Sequence, residues 1–202
     1  MRFETKLYLR IFVLSIDITI TPLENVLIIK PKRFEDIRGF FEESWNAKSF
    51  SENGIDMNFI QDNHSYSKEQ GTLRGLHYQK PPYAQDKLIR CSQGSIFDVA
   101  VDIRQDSSTY GKWFGMKLSR DNGMQLLIPK GFLHGFLTLE PDTEVQYKCS
   151  NYYFPEFEGA VLWNSLDINW PLFKNSPPIL SSRDINAELF ENLNSPFKLD
   201  SN

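Results

Sequence analysis

Short apolar runs dominate this chain, and polar turn residues separate them at close intervals. Ten runs predict strands: 26–29, 40–45, 59–63, 72–78, 87–92, 95–102, 113–119, 125–128, 135–138 and 145–150. They are rich in Phe, Val, Ile, Leu and Tyr, residues that suit a pleated, half-buried surface. Asn122-Gly123, between two of these runs, is the strongest short hairpin signal in the chain. Helical signals are few. Residues 48–53 predict a short helix that stops at Gly54. Ser182, an acidic Asp184 and an apolar-periodic run to Leu193 predict a C-terminal helix with a carboxylate in its first turn. Many short strands at regular spacing predict a mainly β chain folded as a sandwich or jelly-roll barrel.

The apolar stretch 7–20 is interrupted by Arg10 and Asp17. It is too short to span a bilayer as a helix, and no small-residue cleavage signal follows it. Residues 1–20 are expected to be an N-terminal extension, an extra strand or arm. Residues 21–202 are expected to form one domain, since a chain of 202 residues can bury a substantial core. Apolar residues make up 41% and include 16 Phe, so the chain is a packed protein rather than a disordered one. The net charge of -4 argues against binding nucleic acid or an anionic membrane surface. It leaves room for a local basic pocket. Cys91 and Cys149 lie within apolar runs and read as reduced, buried thiols of a cytoplasmic protein.

The chain has three histidines, His64, His77 and His134. His77 lies in the run LRGLHYQ with Arg74, and His134 in PKGFLHGF. Imidazole is the side chain best suited to move protons near neutral pH. Small β-barrels that bind metal commonly offer His-x-His, a later Glu and a further His. Here Tyr78 and Gln79 follow His77, and the segment KPPYAQ has no carboxylate. Only His77 and His134 remain as ligands, where a catalytic metal normally takes three. No metal is expected. Acid–base work needs a base, an orienting group, an acid and a cation for developing charge. His77, Tyr147, Lys87 and Arg74 supply candidates. His77 and Tyr147 also have ordinary alternatives, a core histidine and a barrel-wall tyrosine. Asp184 has its own, as a helix first-turn carboxylate. On a regular strand Arg74 and Leu76 share one face, and Gly75, His77 and Gln79 the other. A bulge near Gly75 would be needed to aim Arg74 and His77 together.

Six ordered motifs give the chain a family resemblance: DIRGFFEE, QDNHS leading into LRGLHYQ, YAQDKLIRC, DVAVDIR, IPKGFLHGF and YKCSNYY. Together they resemble the dTDP-4-dehydrorhamnose 3,5-epimerase family over roughly 21–189. The resemblance implies a cupin-type jelly roll, a homodimer and a dTDP-4-keto-6-deoxyglucose-type substrate, with neither redox cofactor nor metal. The family's base matches His77 and the aspartate that orients it matches Asp184. Its acid matches Tyr147 and its enolate-holding lysine Lys87. Its nucleotide and sugar ligands match Arg38, Glu43, Gln61, Asn63, Arg74 and His134, and more loosely Glu158 and Arg183. Tyr152 or Tyr153 is placed to stack on the base. The implied reaction converts dTDP-4-keto-6-deoxy-D-glucose to dTDP-4-keto-L-rhamnose by proton removal at C3 and C5. The alternatives are an epimerase acting at one carbon, a ketoisomerase on a related nucleotide sugar, a non-catalytic sugar-binding cupin and a metal-dependent cupin oxygenase. Intact His77, Tyr147 and Asp184 speak against the non-catalytic reading. The missing His-x-His speaks against the oxygenase.

Overall fold

The computed structural model describes residues 16–173 and 176–199. Its strands are β1 (Ile16–Ile20), β2 (Leu27–Pro31), β3 (Arg33–Asp36), β4 (Gly39–Glu42), β5 (Gln61–Ser67), β6 (Leu73–Gln79), β7 (Lys87–Gln93), β8 (Ser95–Asp102), β9 (Trp113–Ser119), β10 (Gln125–Ile128), β11 (Phe132–Thr138), β12 (Thr143–Cys149) and β13 (Glu158–Ala160). Six of them form one antiparallel sheet, in the order β1-β2-β10-β7-β12-β5. Five form a second, β13-β6-β11-β8-β9, and β3-β4 make a separate two-stranded ribbon. The architecture is the expected mainly β, jelly-roll type.

Three apolar clusters fix the layers. Ile89, Val145, Ile96, Ala100, Leu118, Phe132 and Phe136 fill the space between the sheets. The outer face of the five-stranded sheet, through Leu76, Tyr78, Val99, Val101 and Leu133, is covered by Val161, Ile168, Leu193 and Phe197. The outer face of the six-stranded sheet, through Ile29, Leu88 and Leu127, is covered by Phe50 and Ile55. Phe50 lies on α1 (Ala47–Glu52), whose first turn is capped by the Asn46 side chain accepting from Ser49 N–H. Burying such a phenylalanine completely contributes about 2–3 kcal/mol.

Two sequence expectations change, and two conditional ones are filled in. Asn122-Gly123 turns the chain, with Gly123 at φ +61°, but makes no hairpin. The strands it joins, β9 and β10, lie in different sheets. The Asn122 side chain accepts from the Ser119 and Met124 N–H groups, so the turn closes on itself and sends the chain across the sandwich. The C-terminal helix is shorter than expected. It is α2 (Ser182–Ile185), capped by the Ser181 side chain accepting from Asp184 N–H. Beyond Asn186 the chain leaves the helix and Glu188 bridges to Val161, so packing against the sheet overrides the apolar periodicity. At the N-terminus, 16–20 forms edge strand β1 on β2; the rest of the apolar stretch lies outside the described residues. The fourth concerns β6. Among the described residues no helix is long and apolar enough to cross a membrane.

Candidate active site

Arg74 and His77 are brought to one side of β6 by a bulge. Arg74 pairs with Phe136 and His77 with His134, so three steps along β6 match two along β11. Directly paired residues point to the same face. Phe136 and His134 both face the other sheet, and Arg74 and His77 therefore do too. Gly75 makes this possible. It sits at φ +127°, and a Cβ there would lie 2.5 Å from Gly135 Cα. Glycine is required on both counts.

The inward faces of the two sheets enclose a cavity of two lobes. The first, about 430 Å³, is lined by Ser65, Arg74, His134, Phe136, Asp184 and neighbours. The second, about 350 Å³, is lined by Gln61, Asn63, Tyr153, Glu158, Arg183 and neighbours. His77, Lys87 and Tyr147 line both and stand at the waist between them. His77 comes from the five-stranded sheet. Lys87 and Tyr147 come from the six-stranded sheet, so His77 and Tyr147 occupy opposite walls.

His77 Nε2 lies 2.6 Å from Asp184 Oδ1. A carboxylate can only accept, so the proton of the neutral ring sits on Nε2 and Nδ1 carries the lone pair. Glu158 Oε1 stands 4.0 Å from Nδ1. The Asp184 side chain is almost wholly buried. Burial raises its pKa, but the hydrogen bond and charge of His77, with Ser181 and Arg183, more than offset this and hold the carboxyl below its usual value. Asp184 is thus a buried anion behind the imidazole.

Burial pushes the Tyr147 phenol above its usual value, reinforced by Cys149 and Glu158 and opposed by Arg74. The phenol is therefore protonated across the neutral range and can give up a proton. Burial pushes Lys87 the other way, below its usual value, against the charges of Cys149, Glu158 and Asp98. In the second lobe, Glu158 accepts from Tyr153 Oη at 2.5 Å and pairs with Arg183. A chain of amides lines its wall. Gln61 accepts from Tyr153 N–H and donates to Asn63 Oδ1 at 3.0 Å, and Asn63 donates to Cys149 Sγ at 3.5 Å.

Ten of the twelve candidate residues named from the sequence line this cavity. Arg38 and Glu43 do not. Arg38 stands exposed at the tip of the β3-β4 ribbon, paired with Asp36. Glu43 accepts from Asn46 Nδ2 at 2.7 Å. His64 points outward to Glu144, 3.2 Å away. Two residues were missed. Ser65 lines the first lobe with a buried hydroxyl that has no hydrogen-bond partner. Its signal was the period of two along QDNHS, which puts Gln61, Asn63 and Ser65 on one face. Asp98 is fully buried and lies 2.8 Å from His134 Nε2. Its signal was a carboxylate in the middle of the apolar run 95–102. Among the described residues no group of three or more His, Cys, Asp or Glu side chains is placed to hold a metal ion.

Residues 20–192 match the dTDP-4-dehydrorhamnose 3,5-epimerase family. The dTDP-4-dehydrorhamnose 3,5-epimerase of Escherichia coli (strain K12) is 52% identical over 167 residues, covering 81% of this chain and 89% of the relative. Among solved structures, the dTDP-4-dehydrorhamnose 3,5-epimerase of Bacillus anthracis with TDP and PPi bound is 48% identical with a TM-score of 0.83. The match covers 87% of this chain and 99% of that one. The dTDP-6-deoxy-D-glucose-3,5-epimerase of Legionella pneumophila, in complex with dTDP-4-keto-L-rhamnose, is 44% identical with a TM-score of 0.84. That match covers 89% of this chain and 95% of that one.

Proposed function

The chain belongs to the dTDP-4-dehydrorhamnose 3,5-epimerase family, whose members are isomerases, and we propose that it converts dTDP-4-keto-6-deoxy-D-glucose to dTDP-4-keto-L-rhamnose in this cavity. The C4 ketone acidifies the protons on C3 and C5. His77 Nδ1 takes one of them. Asp184 stabilises the imidazolium that results and holds the ring in the productive tautomer. The enolate oxygen that forms is held by the Lys87 ammonium. Tyr147 returns a proton from the other side of the sugar, which inverts the centre. The observation that carries this reading is the placement of base and acid on opposite walls at the waist of the cavity. A base that returned its own proton would exchange the carbon without inverting it.

The two lobes suit a substrate with two ends. Arg74 and Ser65 in the first, beside His134, offer donors to phosphate oxygens, and Gln61, Asn63, Tyr153, Glu158 and Arg183 line the second. We further propose a cytoplasmic homodimer whose residues 21–202 act as one domain. Among the described residues, edge strand β1 pairs on one side only, and proteins normally cover such an edge. Arg38 and Glu43, which stand apart from the cavity of their own chain, would then serve a second copy. Light scattering at low micromolar concentration should give twice the 23.5 kDa chain mass. A soluble, fully active monomer would exclude the dimer.

The activity is tested by proton NMR in deuterated water with dTDP-4-keto-6-deoxyglucose. Loss of both the C3 and C5 proton signals together with formation of the L-rhamno product is expected. Exchange at one carbon alone would convert the assignment to a single-carbon epimerase, and no exchange would remove it.

A further inference from the structure

Asp98 lies on β8 beneath the floor of the first lobe. It is 0% exposed, its Oδ1 is 2.8 Å from His134 Nε2, and its Oδ2 is buried with no hydrogen-bond partner. A half-satisfied carboxylate in a core costs stability that an apolar side chain would not. A packing role alone therefore does not account for it. Two cavity residues use it. The first is His134, which pairs directly with His77 across β11 and β6. Because Asp98 only accepts, the His134 proton lies on Nε2. Its Nδ1 has no protein partner among the described residues and is the ring nitrogen left open to the lobe. The second is Lys87, on which the Asp98 charge acts together with Cys149 of β12 and Glu158 of β13. His77, His134, Arg74 and Tyr147 share the cavity wall with Lys87.

We propose that Asp98 is a positioning residue for the epimerisation: it holds the His134 ring with Nδ1 toward the substrate, and its buried negative charge acts on the Lys87 ammonium. This rests on the reading of Lys87 as the cation that holds the enolate. The sign of the pH effect follows. A nearby anion favours the charged ammonium, so removing it lets Lys87 lose its proton at lower pH. Activity that requires the ammonium is then lost at lower pH as well.

The test is Asp98→Asn, which keeps the shape and removes the charge. With the fold checked by circular dichroism, kcat should fall on the order of 10–100-fold, as for loss of an outer partner behind a working side chain. The alkaline limb of kcat against pH should also move to lower pH. A folded variant with the wild-type kcat and the wild-type alkaline limb overturns the proposal. Where the variant does not fold, the tautomer of His134 in the unsubstituted protein decides, read from the nitrogen-15 shifts of the ring. A proton on Nε2 is expected, and a proton on Nδ1 with Nε2 bare overturns it. Lys87→Met separates the two readings. Should that variant keep its solvent-exchange rate, the enolate assignment of Lys87 fails independently of Asp98.

Discussion

Asp184→Asn removes the charge behind the base while leaving the side chain's shape. The pair is largely shielded from water, with side-chain exposures of 27% for His77 and 4% for Asp184. An effective dielectric near 20 is appropriate to such a site, and charge centres about 4 Å apart then attract by ~4 kcal/mol. With about half the imidazolium charge developed in the transition state, ~2 kcal/mol of stabilisation disappears, roughly 30-fold in rate. The tautomer adds to this. An asparagine can turn either its carbonyl or its amide nitrogen to Nε2, and only the carbonyl leaves Nδ1 bare. The total loss should be on the order of 10²–10³-fold. The assay is deuterium wash-in at C3 and C5, followed by NMR, because it reports proton abstraction without requiring inversion. The same substitution has a stability signature. Asp184 titrates below its usual value of 3.8 in the folded protein. Its contribution is therefore complete above that value and fades as pH falls toward the folded pKa. Denaturant midpoints of the unsubstituted protein and of Asp184→Asn should converge over that acid window. Wash-in by Asp184→Asn within about three-fold of wild type, an order of magnitude inside the 10²–10³ expected, would refute the His77–Asp184 assignment.

His77→Asn should fold and lose wash-in by roughly 10²–10⁴-fold or more, the usual worth of a general base; near wild-type incorporation would contradict it. Gly75→Ala forces a Cβ to 2.5 Å from Gly135 Cα at a φ of +127°. Strain of about 1–3 kcal/mol plus the displaced strand should lower the urea midpoint clearly; an unchanged midpoint would mean that the bulge is not as described. The Cys91 thiol is pushed up to about 12 by burial, so an aromatic disulfide reagent at pH 8 should leave it unmodified until the protein is unfolded; rapid reaction in the native state would contradict its burial.

Much of the fold could be read from apolar spacing. The runs 95–102, 113–119 and 125–128 became β8, β9 and β10 with the expected bounds, because each is strongly apolar and flanked by turn residues. Partnership was not legible. Asn122-Gly123 has the local chemistry of a hairpin, yet which strand pairs with which is decided across the sandwich by non-local packing. The C-terminal periodicity likewise describes a buried face, which an irregular segment can present as well as a helix. Within the site, LRGLHYQ showed its chemistry but not its geometry. Placing Arg74 beside His77 needed the bulge opposite Gly135, and only the register with β11 reveals it. Asp98 and Ser65 escaped notice because each reads as an ordinary strand residue until the opposing wall is known.

The central claim is that abstraction and reprotonation are performed from opposite walls, by His77 and by Tyr147. Tyr147→Phe tests it most directly, by comparing two rates on one sample: deuterium wash-in and formation of the inverted product. With the phenol gone, His77 can still remove a proton and return a deuteron to the same face. Wash-in should therefore persist while product formation falls by roughly 10²-fold or more, the usual worth of a general acid. Equal loss of both rates would contradict the account and leave Tyr147 as a wall of the cavity rather than its acid.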